Sequence, residues 1–193
     1  MVRKLLLLLF IPVSLFAQEE SGRYVHRGLF CFRGSIAYGK MLKLDANNSY
    51  LEGNTEYFAD DNISLRGDVY FFTGHFNSDA PFKMYHSLLT GAMYHFKTNN
   101  HFDPYFGLEV GMNLGQASNP TFGQPTPTFA PVTTPEKTFT PLFSPIIGFN
   151  FFGNKWFHLA LSARYVTGNF ADNYNAVSLG EFRFSFGLGF NLN

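Results

Sequence analysis

One cysteine, Cys31, stands alone in the sequence, so no internal disulfide can staple the fold. Net charge is absent as well: fourteen basic residues balance fourteen acidic ones, which gives no argument for nucleic acid as a partner. Charged residues are scarce at 15%, against about a quarter in an ordinary soluble domain. Yet the mean hydropathy is close to zero at -0.05. Beyond the first segment no apolar run approaches the ~18 residues that a membrane helix needs. Apolar residues are therefore interleaved with polar ones instead of blocked, and what is abundant is Phe, at 25 residues, and Gly, at 18.

The N-terminus reads MVRKLLLLLFIPVSLFAQEE. Arg3 and Lys4 precede an apolar stretch from Leu5 to Phe16, and Ala17 precedes a polar start at Gln18, the pattern of a secretory signal peptide over 1–17. Gln18 and not Cys comes directly after Ala17, so a lipoprotein is not expected. The remaining 18–193 form one domain, directed to the envelope beyond the inner membrane of a bacterium.

Period-2 alternation recurs along that domain and predicts eight strands, at about 28–38, 49–58, 63–73, 84–96, 104–115, 142–152, 157–167 and 177–192. No segment has helical periodicity. Short turns rich in Asn, Asp and Gly (ADDN, KTNNHFD, GNKW) alternate with longer connections at 39–48, 74–83, 116–141 and 168–176. Seven of the ten prolines fall between Pro120 and Pro145, which predicts an extended Pro/Thr-rich loop over 116–141. Short turns at one end and long loops at the other is the asymmetry of transmembrane β-barrels. The fold class is thus all-β: an eight-stranded antiparallel up-and-down transmembrane β-barrel.

Three features assign the faces. The lumen of an eight-stranded barrel is just wide enough to be filled by side chains. The last strand alone, with Phe182, Phe184, Phe186, Leu188, Phe190 and Leu192 on one parity, would overfill it, whereas Ser185, Gly187 and Gly189 on the other suit it. The mature chain's six lysines (Lys40, Lys43, Lys83, Lys97, Lys137 and Lys155) all lie in loops, turns or strand ends. Four arginines inside strands, Arg33, Arg66, Arg164 and Arg183, sit opposite the apolar parity, together with Glu52, Glu56, Asp68, Glu109 and Glu181. Facing lipid at mid-depth, each Arg would cost about 2–4 kcal/mol. Facing inward, the nine form a charge network in the lumen, in which the planar guanidinium can bind carboxylates bidentately. Lastly, Tyr57, Tyr94, Phe96, Phe106, Phe151, Trp156 and Phe157 gather near the short-turn end, as an interfacial girdle would. The strand Phe182 to Leu192 closes the barrel against the first and removes both edges.

DDNISLRGDVYFF, DPYFGLEVGMNLG and EFRFSFGLGFNLN carry a resemblance to the small eight-stranded outer-membrane barrels of the OmpA/OmpX type, the outer membrane protein β-barrel family, and the signal ending FAQ is similar to those of Bacteroidota. The resemblance covers the mature chain. It implies an integral protein of the bacterial outer membrane, monomeric, with outer-membrane lipid and the barrel-assembly machinery as partners and no cofactor. It also implies that the last strand is the assembly signal, although this chain ends Leu192-Asn193 where the family usually has a final aromatic.

The six histidines, His26, His75, His86, His95, His101 and His158, have no metal-ligand spacing. His158 and Ser162 share the inward face, but four residues along a strand is about 13 Å, beyond hydrogen-bond reach. A pairing of His95 with a serine on another strand is not readable from sequence. The expectation is a non-enzymatic barrel acting through its loops in envelope integrity, adhesion or surface interaction. Its alternatives are a narrow channel or OmpW-like path for small solutes, and a lipid-modifying barrel enzyme, which would need a tight Ser–His–acid cluster.

Overall fold

The computed structural model describes residues 24–44, 46–76, 81–96, 101–118, 136–171 and 176–192. Nine strands follow in order: β1 (Phe30–Met41), β2 (Asn47–Phe58), β3 (Ile63–His75), β4 (Phe82–His95), β5 (Phe102–Ala117), β6 (Thr138–Phe152), β7 (Phe157–Ala171), β8 (Ala176–Ser178) and β9 (Glu181–Leu192). Each of β1 to β7 pairs antiparallel with its successor, β9 pairs with both β7 and β1, and the sheet closes into an eight-stranded barrel. The three residues of β8 pair only with the end of β7. No helix occurs among the described residues.

Three expectations need correction. The last strand is not continuous over 177–192. It is interrupted at Leu179 and Gly180, whose backbone bonds diverge: Leu179 N–H donates to Gly168 O, and Gly180 O accepts from Leu42 N–H. The long connections are shorter than expected, because the strands rise further at that end. The 116–141 loop in particular loses Gln116, Ala117 and Thr138 to Pro141, which lie in β5 and β6. Finally, Pro141, expected in the loop, enters the ladder together with Pro145, which the expected strand 142–152 already holds. Pro141 and Pro145 sit in β6 opposite Met112 and Leu108 of β5, and that pairing is unbroken. On the other side, β6 and β7 form no rung at Ser144 and Pro145 and none above Leu142. The two rings therefore turn their missing N–H groups toward β7, where the ladder goes without them. Residues 119–135 and the segment 1–17, expected to be a signal peptide, lie outside the described residues.

The barrel is inside-out relative to a soluble one. Phe182, Phe184, Phe186, Leu188, Phe190 and Leu192 are 43–55% exposed, and Ile36, Leu51, Leu65, Val69, Phe106 and Ile147 continue that belt around the wall. A contiguous apolar surface of this extent is stable against hydrocarbon and not against water. The seven aromatics of the short-turn end are exposed too, with Tyr94 packed against both Phe96 and Phe106.

Inside, both mouths are filled. At the long-loop end a cluster built on Met41, Tyr50, Phe72, Phe82, Tyr85, Leu142, Val166 and Phe170 occupies the lumen. At the short-turn end the segment before β1 folds beneath the barrel. Gly28, at φ +89, turns the chain so that its N–H donates to Phe58 O, while Phe58 N–H donates to Leu29 O. Tyr24 then stacks on Phe152, with centroids 5.7 Å apart.

Candidate functional site

Between these two plugs lies the charged lumen. All nine strand residues assigned to it from parity are buried: Arg33, Glu52, Glu56, Arg66, Asp68, Glu109, Arg164, Glu181 and Arg183. Period-2 alternation brings them inward. The stagger of the strands decides which of them meet.

Five meet at mid-height. Arg66 of β3 donates through Nε to Asp68 Oδ1 at 2.9 Å, through Nη2 to Glu52 Oε1 at 3.3 Å and through Nη1 to the Tyr105 hydroxyl at 2.8 Å. Arg164 of β7 reaches across to Asp68 Oδ2 and to Glu109 Oε2. Asp68 accepts from Asn54 as well. Asp68 is thus held by β2, β3 and β7 together. Buried ions of opposite sign are tolerated in this form, each paired and hydrogen-bonded.

Toward the long-loop end Arg183 is enclosed by rings, with its guanidinium 4.4 Å from the Tyr50 centroid, 4.8 Å from Tyr70 and 5.5 Å from Tyr85. Its Nε donates to Glu181 Oε2 at 2.6 Å and its Nη2 to Ser87 Oγ at 3.2 Å. The other Glu181 oxygen accepts from the Tyr50 hydroxyl and from Asn48 Nδ2, each at 2.7 Å. Cation–π attraction of a desolvated guanidinium adds to this pair. Gly39 leaves room for this pair, since a Cβ at that position would displace the Glu181 carboxylate.

The short-turn end departs from the expected arginine–carboxylate pairing. Arg33 has no carboxylate partner among the described residues; it donates through Nη1 to Asn150 Oδ1 at 3.2 Å, and Asn150 donates in turn to Asp103 Oδ2 at 2.9 Å. The cause is register: Arg33 lies opposite Asn54 of β2, while Glu56 lies opposite Cys31. Glu56 is taken by Ser64 and His95 instead. Neither His95 nor Asp103 was singled out from sequence for the lumen. Tyr94 and Phe96 face outward, so the parity of β4 could have placed His95 inside. Asp103 fell one residue short of the expected strand start at 104.

Here a Ser–His–acid set does converge. Ser64 Oγ is 2.9 Å from His95 Nε2, and His95 Nδ1 is 2.9 Å from Asp103 Oδ2. A working triad needs a ring nitrogen free to take the serine proton. In this lumen Glu56 Oε1 lies 3.1 Å from the same Nε2 and accepts the Ser64 hydroxyl at 2.6 Å. Carboxylates only accept, so both ring nitrogens of His95 must donate, and the serine's proton is already committed to Glu56. Ser64 and His95 are fully buried, and the His95 ring packs against Phe58 and Tyr105. In this geometry the serine proton is directed to Glu56 and His95 has no free ring nitrogen to take it. His158 Nδ1 donates to Asn191 Oδ1 at 2.7 Å, and its ring occupies the space that a Cβ on Gly189 would need. Among the described residues no three His, Cys, Asp or Glu side chains are placed to hold a metal ion.

No family profile and no curated protein matches the chain. Solved structures do. Neisserial surface protein A superimposes with a TM-score of 0.61 at 13% identity, over 86% of this chain and 99% of that one. The outer membrane protein OprG of Pseudomonas aeruginosa gives 0.59 at 14% identity, over 89% and 100%. Ail, the attachment invasion locus protein of Yersinia pestis, gives 0.53 at 16% identity, over 86% and 99%. These likenesses establish the fold, and they lend the Bacteroidota reading no support.

Proposed function

We propose, for a chain that has the fold of the small eight-stranded outer-membrane barrels, a non-enzymatic role in the bacterial outer membrane in which the barrel is a closed stem and its long-loop end makes the contacts. The observation that carries this reading is the filling of the lumen at three levels: the tyrosine-boxed Arg183–Glu181 pair, the Arg66–Asp68–Arg164–Glu109 cluster and the Glu56–His95–Asp103 set, between apolar plugs. A stem so filled has no path for a solute and no room for a substrate. Function on a rigid scaffold then falls to its loops. The likeness to an attachment protein and to a surface protein agrees with an adhesive or surface-interaction role. We assign β9 as the strand read during barrel assembly, because it closes the wall against β1 along its whole length.

One observation favours the channel alternative. Several buried polar atoms have no hydrogen-bond partner among the described residues, including Arg33 Nε and Nη2, Glu52 Oε2, Arg183 Nη1 and Ser144 Oγ. Buried groups of this kind are usually satisfied by water, so a thread of water through the lumen would suit them.

Two measurements on one protein test the reading. Reconstituted in planar bilayers, the barrel should show no steady conductance. Displayed on cells, it should confer attachment to surfaces that is lost when 119–135 is deleted while heat-modifiable mobility on gels is kept. Steady conductance, or attachment indifferent to the deletion, overturns it.

A further inference from the structure

We propose that the outer wall below the long-loop rim holds one anionic, phosphate-bearing lipid of the surrounding leaflet, with an acyl chain lying in a trough across β7, β9 and β1 and its phosphate on Lys40. The trough is a concavity of about 790 Å³ on the lipid-facing side, lined by Ile36, Tyr38, Leu51, Ala163, Phe184 and Phe186. Its depth comes from Ala163. That residue stands in register with Phe184 on one side and Ile147 on the other, so a methyl group separates two large side chains. In a wall facing hydrocarbon such a dent is filled by a chain of the lipid itself.

The upper end of the trough is polar. Thr73 Oγ1 donates to Ser49 Oγ at 2.9 Å, and the Tyr38 hydroxyl donates to Asn47 Oδ1 at 2.6 Å. Lys40 is two residues above Tyr38 on the same face of β1, about 7 Å further along the strand. It is exposed and in register with Asn47 and Phe182. No carboxylate lies within ion-pair reach of it among the described residues, in contrast to Arg66, Arg164 and Arg183. A lysine that tops a lipid-facing column extends its ammonium to the headgroup layer and keeps its stem in the apolar zone.

Lys137, just before β6 and beside Glu136, is exposed, and Lys83 at the start of β4 is exposed as well. Among the described residues of this rim exposed lysines outnumber acids, Lys40, Lys43, Lys83 and Lys137 against Glu136, and such a surface attracts anionic headgroups. A soluble polyanion would engage the same lysines without using the trough. The trough lies directly below Lys40, and this favours a lipid.

Native mass spectrometry of the full chain in phosphatidylcholine nanodiscs doped with phosphatidic acid tests the proposal. One phosphatidic acid should be retained in preference to phosphatidylcholine. Lys40→Glu should lower that preference about tenfold. Ala163→Phe, which fills the dent, should abolish retention of either lipid, and Lys155→Glu at the opposite end should change nothing. Heat-modifiable mobility confirms that each variant is folded, with Lys40→Gln and Ala163→Leu as the milder pair. Equal retention of the two lipids, or retention unaltered in both the Lys40 and the Ala163 variants, overturns the proposal. So does binding of glycerol phosphate to the detergent-solubilised barrel as tightly as phosphatidic acid, which would make the lysines a site for free anions.

Discussion

Arg164 of β7 and Asp68 of β3 clasp across the lumen, although 96 residues separate them in sequence. Asp68 also accepts from Arg66 and Asn54, and Arg164 also donates to Glu109. Replacing Arg164 by Met therefore strands Asp68 and Glu109 with a single remaining cation nearby. Removing one partner of a buried pair typically costs about 3–5 kcal/mol. The variant should unfold at a correspondingly lower denaturant concentration in detergent, and the double variant with Glu109→Gln should recover part of the loss. A single variant as stable as the parent would mean that these groups stand in open water.

How much of this was legible follows from what alternation encodes. Parity alone assigned Arg33, Glu52, Glu56, Arg66, Asp68, Glu109, Arg164, Glu181 and Arg183 to one face, because a strand's side chains alternate with a period of two. Parity says nothing about partners across the barrel. Those depend on the stagger with which eight tilted strands close, a long-range quantity that no local window contains. Hence Arg33 was expected to meet an acid and meets Asn150, and Glu56 was expected to meet an arginine and meets His95. The tyrosines around Arg183 follow the same inward parity, but apolar-looking residues on a charged face do not advertise a cation box. The start of β6 is misplaced because Pro141 reads as loop, whereas a proline is excluded from a ladder only on the side to which its N–H would point.

The missing rungs give a second expected outcome. Hydrogen exchange in detergent should be faster in the upper half of β7, over 165–169, than in β5 over 108–112, since β6 and β7 form no rung at Ser144 and Pro145 or above Leu142, whereas the β5–β6 ladder is unbroken. Peptide-resolved mass spectrometry separates the two. Equal protection would show that another group satisfies the β6–β7 seam.

At the short-turn mouth, His95 should act as a cross-link and not as a catalyst. His95→Phe leaves Glu56 and Asp103 facing each other without the donor between them, and should destabilise the barrel by about 3–5 kcal/mol. Ser64→Ala removes only the hydroxyl that Glu56 accepts and should cost about 1–3 kcal/mol. Deletion of the gene should leave the acylation pattern of the cell's outer-membrane lipids unchanged. Altered lipid masses restored by wild type but not by Ser64→Ala would make the set a catalytic one.

Arg183 offers the most direct test of whether the stem is closed. Its guanidinium fills the space between Tyr50, Tyr70 and Tyr85 and holds Glu181 by one bond. Lysine cannot reproduce this arrangement, since an ammonium is a compact, strongly hydrated charge without a planar face to lay on the rings. Arg183→Lys should therefore keep the charge and still lose stability, by about 1–2 kcal/mol for the stacking alone. Arg183→Met should lose more, because Glu181 keeps only Tyr50 and Asn48 as donors. With the guanidinium gone, the polar level below becomes open to water from the long-loop side, and a small leak should appear in planar bilayers where the wild type has none. If instead the wild type conducts steadily and Arg183→Met conducts no better, the charges line an aqueous path, and the channel reading replaces the closed stem.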